Sequence, residues 1–144
     1  MPQVRYTYPV SNRPQSAGWA RSWVRIALIA HGLEDYLDSA LLIMSELITN
    51  AAIHATRSDI IKIVCELDAG ILILGVIDHD PRLPVRFDVS EDDEHGRGLM
   101  LVDAIADEWG CRPCDGGKIV FGLLHLHVSQ PSAVRPRAEL LVFA

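Results

Sequence analysis

The sequence predicts an α+β domain: a two-layer sandwich with helices on one face of a mixed, mostly antiparallel sheet. Three observations predict it. Segments of helical period gather in the first half of the chain, the strand-like segments after them are joined in pairs by tight turns, and 144 residues suit one domain. Hydrophobic residues make up 49% of the chain, enough for a core without disulfides. Residues 1–128 read as that single domain. Residues 129–144, which carry Pro and Ser before an apolar ELLVFA end, read as a flexible tail.

Each element has its own signal. Val4 to Tyr8 alternates and is rich in strand formers, which predicts an edge strand ended by Pro9. Ser11 to Gln15 is a turn. From Ser16 to about His31, Trp19, Trp23, Ile26, Ala27 and Ala30 recur at helical spacing, and Gly32 supplies a C-terminal stop. Glu34 or Asp35 opens a second helix that runs to about Thr56. On it Leu37, Leu41, Met44, Ile48, Ala51 and Ala55 fall within roughly 80° of arc, a core stripe.

Two strands follow. In Ile60 to Leu67 the residues Ile61, Ile63, Cys65 and Leu67 share a face, and Asp68-Ala69-Gly70 supplies a turn. Ile71 to Ile77 is almost wholly apolar, a central strand, and ends in Asp78-His79-Asp80-Pro81. Residues 79–97 have no apolar period and hold the acidic run Glu91-Asp92-Asp93-Glu94. That length is typical of lids and binding loops. A helix then begins after Gly98, with Leu99, Val102, Ile105 and Ala106 as its stripe. Trp109 to Cys114 and Lys118 to about Val128 form a hairpin around Asp115-Gly116-Gly117.

The composition narrows the function. Net charge is −6, with 13 basic against 19 acidic residues, which argues against a direct nucleic-acid partner. No run of about 18 apolar residues and no signal-type N-terminus is present, so a cytoplasmic protein without a membrane span is expected. Three cysteines, an odd count, fit a reducing compartment. Cys111 and Cys114 form a CxxC that reads as two small strand residues, a redox pair or half a zinc site; no second CxxC follows.

Three places carry candidate chemistry. Glu46 and Asn50 lie four apart on the second helix, so they share a side roughly opposite the stripe, with Ile43 beside them. They are either a hydrogen-bonded pair or a carboxylate and an amide oxygen facing a polar ligand or hard cation. His54 would complete a trio, but that set suits transition metals poorly. Asp78, at the end of an apolar strand, either points into a pocket or forms a turn. Gly96-Arg97-Gly98 precedes a helix, where freed backbone amides and the helix dipole attract an anion. It is not a Walker A loop, because Gly117-Lys118 is followed by Ile119.

Taken together, SELITNAAIHA (45–55), GVIDHDPRLPV (75–85) and EHGRGLMLVDAIADEWG (94–110) resemble the N box and the two glycine boxes of the GHKL ATPase and kinase superfamily. Within it the chain is most similar to the small anti-sigma-factor serine/threonine kinases and their actinobacterial relatives, over about residues 5 to 124. The resemblance implies the Bergerat ATP-binding sandwich, with ATP and Mg²⁺ as ligands. It implies that Glu46 is the general base, that Asn50 holds Mg²⁺, and that Asp78 accepts a hydrogen bond from the adenine amino group. It further implies that Gly96, Arg97, Gly98 and Leu99 line the phosphates, with Lys118 near a phosphate-contacting position. The implied activity is phosphorylation of a STAS-like anti-sigma-factor antagonist, with that antagonist or a sigma factor as partner. A homodimer is open, its candidate surface being the N-terminal strand and first helix. One departure stands out: the full first box has glycines after its aspartate, and here His79-Asp80-Pro81 follow. That departure supports an alternative, a non-catalytic ATP- or partner-binding module on the same scaffold.

Overall fold

The computed structural model describes residues 3–80 and 97–127, with the backbone alone for 97–100. The elements run in the order β1 (Val4–Ser11), α1 (Ser16–Ala30), a 3₁₀ turn (Glu34–Tyr36), α2 (Leu37–His54), β2 (Ile60–Asp68), β3 (Ile71–Asp78), α3 (Arg97–Ile105), β4 (Glu108–Cys114) and β5 (Gly117–His125). The strands form one sheet in the order β1-β2-β3-β5-β4. Every described pairing is antiparallel, so the mixed component expected from the sequence is absent among the described residues. The fold is the expected α+β sandwich. Its 129–144 tail, the acidic run Glu91–Glu94 and Gly96 lie outside the described residues.

Strand alternation sets which side chains meet the helices. Ile61, Ile63, Cys65 and Leu67 of β2 lie in the core with Leu72, Leu74 and Val76 of β3 and Val120 and Leu124 of β5. The hairpin between β2 and β3 turns on Ala69 and Gly70, whose φ values are 46° and 81°. Two positive φ values match the handedness of a two-residue antiparallel turn. β1 runs on through Pro9 to Ser11, with Pro9 opposite Lys62. An edge strand tolerates a residue without an N–H, so proline does not end it there.

The helices differ from their expected faces in an instructive way. On α1 the buried apolar residues are Ala20, Trp23, Val24, Ala27 and Leu28, whereas Trp19 is 73% exposed and Ile26 51%. Apolar residues cover two adjoining faces of α1, and periodicity alone cannot choose between them. On α2 the wholly buried set is Ala40, Ile43, Met44, Leu47, Ile48 and Ala51, with Leu37 and Leu41 only half-buried. At 100° per residue this set spans roughly 140°, not 80°, because α2 lies between α1, α3 and the sheet. By composition Glu34–His54 could cross a membrane. In this fold Ile43, Met44, Leu47 and Ile48 of that segment form the middle of the core.

His31, just past α1, is buried, and its Nε2 lies 3.3 Å from the Tyr6 hydroxyl. Burial favours the neutral imidazole and holds its pKa below the ordinary 6.5. The unfolded chain therefore binds more protons just below pH 6.5, and stability is lost as pH falls through that window. Denaturant titrations between pH 7.5 and 5 should show this loss, and His31→Gln should make the profile shallower.

Candidate functional site

The antiparallel registers bring one end of every strand to a common edge. Ser11 faces Ile60, Lys62 faces Ile77, Asp78 faces Lys118, and Cys114 faces Gly117. Asp78 shares its strand face with Leu72, Leu74 and Val76, so alternation turns its carboxylate under the helical layer. Only 2% of Asp78 is exposed. A carboxylate in that position requires a partner. Lys118 Nζ donates to Asp78 Oδ1 at 2.7 Å and to the Asp80 carbonyl at 3.3 Å. Asp80 N–H donates to the same Oδ1 at 3.0 Å.

Gly117 makes this approach possible. A Cβ there would lie 1.9 Å from the Asp78 carbonyl oxygen, so only glycine lets β5 start against the end of β3. Lys118 thus sits on Asp78, at 6% side-chain exposure.

A hydrogen-bond network links this strand end to the end of α2. Arg57 N–H donates to Asp80 Oδ2 at 3.0 Å, and His79 N–H donates to Ser58 Oγ at 2.9 Å. The Asn12 amide donates to the carbonyls of Ala51, Ala55 and Ser58 at 3.2, 2.9 and 2.8 Å. The Ala51 and Ala55 carbonyls also accept from Ala55 N–H and Ser58 N–H, so Asn12 adds a second donor at the end of α2 and ties it to the connection before β2 from a distance in sequence.

Glu46 and Asn50 are both half-buried on α2. Helical geometry puts Asn50 at the border of the buried arc, about 20° from Ile43. Asn50 Oδ1 is buried and has no hydrogen-bond partner among the described residues. Asn12 Oδ1 is buried in the same way, but its amide nitrogen is committed to α2. An orphaned amide oxygen is a hard donor, and the fit to a magnesium-type cation is good. α2 sits low on the sheet because β5 carries Gly122 beneath it: a Cβ there would lie 2.9 Å from Ile43 Cγ2. His54 is exposed, and no cluster of metal-ligating side chains occurs among the described residues.

The other expectations resolve as follows. Arg97 and Gly98 are not in the loop before the helix but in the first turn of α3, together with Leu99. Their backbone amides are thereby among the unbonded groups of a helix N-terminus. Cys111 and Cys114 are three apart on β4, so they point to opposite faces and lie roughly 10 Å apart, too far for a disulfide. Burial also raises the Cys111 pKa, which disfavours a reactive thiolate. Sequence reading passed over Asn12, Ser58 and Asp80. The Asp-His-Asp-Pro run was the available signal for Asp80. Nothing local marks Asn12, whose partners are 39 to 46 residues away.

A family model described as a histidine kinase-like ATPase domain matches residues 10–121, from the end of β1 into β5. No curated protein matches the chain. The Asn12 tie gives a direct check on the geometry. Asn12→Ala should lower the free energy of unfolding by about 1–3 kcal/mol in urea, since it removes the side-chain hydrogen bonds that tie the end of α2 to the connection before β2.

Proposed function

Because the chain belongs to the histidine kinase-like ATPase domain family, we propose that it is an ATP-binding regulator that acts as a serine/threonine protein kinase. The substrate would be a STAS-like anti-sigma-factor antagonist, with a sigma factor as a second partner, in the cytoplasm. The observation that carries this reading is the buried, unpartnered Asn50 Oδ1 one turn from Glu46. A buried oxygen left unsatisfied among the described residues supports a ligand there.

The roles follow from the chemistry of each group. Asp78 would accept a hydrogen bond from the adenine amino group through its second oxygen, because the two described bonds to the carboxylate land on Oδ1. Asn50 would hold Mg²⁺, which when bound neutralises charge on the phosphates. The amides of Arg97, Gly98 and Leu99, with Gly96 before them, would meet the phosphates. Glu46 would take the proton of a serine hydroxyl as that oxygen bonds to the γ-phosphorus and the bond to ADP breaks. A partner, or a second copy in a homodimer, would use β1 and α1, where Trp19, Ile26 and Ile29 are exposed.

One observation favours a second reading. His79-Asp80-Pro81 follow Asp78 where the family's full first box has glycines, and Asp78 is already paired with Lys118. A non-catalytic module that binds ATP or only a protein partner would have the same features. Glu46→Gln separates the two. For a kinase, it should reduce phosphoryl transfer to the antagonist by about 10²–10⁴-fold while Mg²⁺-ATP binding survives. Undiminished transfer in that variant rejects the role of Glu46, and no transfer by the unaltered protein favours the module.

A further inference from the structure

We propose that Lys118 sets the base selectivity of this site, and that it makes the site accept guanine as well as adenine nucleotides. The inference rests on the nucleotide-binding reading above and adds to it the class of nucleotide. It starts from an electrostatic necessity. Asp78, the last residue of β3, and Asp80, two residues beyond it, are each 2% exposed. A buried carboxylate requires a partner. Lys118, 5% exposed and directly opposite Asp78 in the β3–β5 register, is the cation on Asp78.

The consequence lies in what the edge of a purine would meet. Adenine presents a donor, the 6-amino group, beside an acceptor, N1. Guanine presents the reverse, the O6 acceptor beside the N1–H donor. A carboxylate alone is acceptor-only, so it pairs with adenine and repels guanine O6. Here the carboxylate comes with an ammonium 2.7 Å away. Oδ1 is taken by Lys118 and by the Asp80 amide, which leaves Oδ2 to face a base. Of the two described contacts of Nζ, the one to the Asp80 carbonyl is the longer at 3.3 Å, and a base acceptor can replace it. Oδ2 with Nζ then matches either purine: the adenine amino group and N1, or guanine N1–H and O6. In this buried setting the charges are little screened, so the added donor carries weight. The Asp80 backbone holds this arrangement through its N–H on Asp78 Oδ1, and its own Oδ2 is anchored by Arg57 N–H.

Calorimetric titration of the full chain with Mg²⁺-ATP and Mg²⁺-GTP tests this. The dissociation constants of the unaltered protein should lie within about tenfold of each other. In Lys118→Met, GTP binding should fall more than ATP binding, widening the ratio by tenfold or more, whereas Lys118→Arg should keep GTP binding. A preference for ATP above 100-fold in the unaltered protein overturns the proposal without need of any variant. So does a ratio that Lys118→Met leaves unchanged. ATP binding without GTP binding overturns this inference alone. Binding of neither nucleotide overturns the proposed function and this inference with it.

Discussion

A buried carboxylate at the end of a central strand is the constraint around which the site edge is arranged. Asp78 follows Val76 and Leu74 on the helix-facing side of β3, so strand periodicity gives it no route to solvent. The cost of burying that charge is offset by the Lys118 ammonium, and Lys118 reaches it because β5 begins with a glycine against the Asp78 carbonyl. The same carboxylate caps the backbone of Asp80, and Asp80 in turn holds the chain after α2 through Arg57. Removing one partner would leave the others buried and unsatisfied, so these residues act as a unit rather than as independent contacts.

The second requirement is the seating of α2. Gly122 lets Ile43 press onto β5, and Asn12 ties the last carbonyls of α2 to the connection that contains Ser58. Between these two supports lies Asn50, whose side-chain oxygen is buried without a partner among the described residues. The helix is therefore held at both its middle and its end, and Glu46 and Asn50 lie on the side it does not bury. Supports of this kind fix a site's geometry better than a loop could.

Much of this was legible in the sequence, and the limits have physical causes. The face of β2, the central place of β3 and the Ala69-Gly70 turn follow from local alternation, apolar content and turn chemistry, and they hold in the structure. The pairing of Glu46 with Asn50 on one side of a helix also needs only a 3.6-residue period. The packed face of α1 was not legible, because two adjoining faces are apolar and only the neighbouring helix decides between Trp19 and Val24. The width of the buried arc on α2 was missed for the same reason. Pro9 was read as a strand end because an edge strand's tolerance of proline depends on which neighbours pair with it. Lys118 was placed near the phosphates because its register against Asp78 is a non-local property of the sheet, across 40 residues. Asn12 has no local signature at all.

The central claim is that the α2 face carrying Asn50 and the strand end carrying Asp78 form one nucleotide site. Calorimetric titration with ATP, with and without Mg²⁺, on the unaltered protein and on Asn50→Ala tests it most directly. The account predicts that Mg²⁺ tightens ATP binding in the unaltered protein and that Asn50→Ala, still folded, loses that dependence while retaining the weaker Mg²⁺-free binding. An Mg²⁺ effect of equal size in both proteins, or no ATP binding by either, would contradict it.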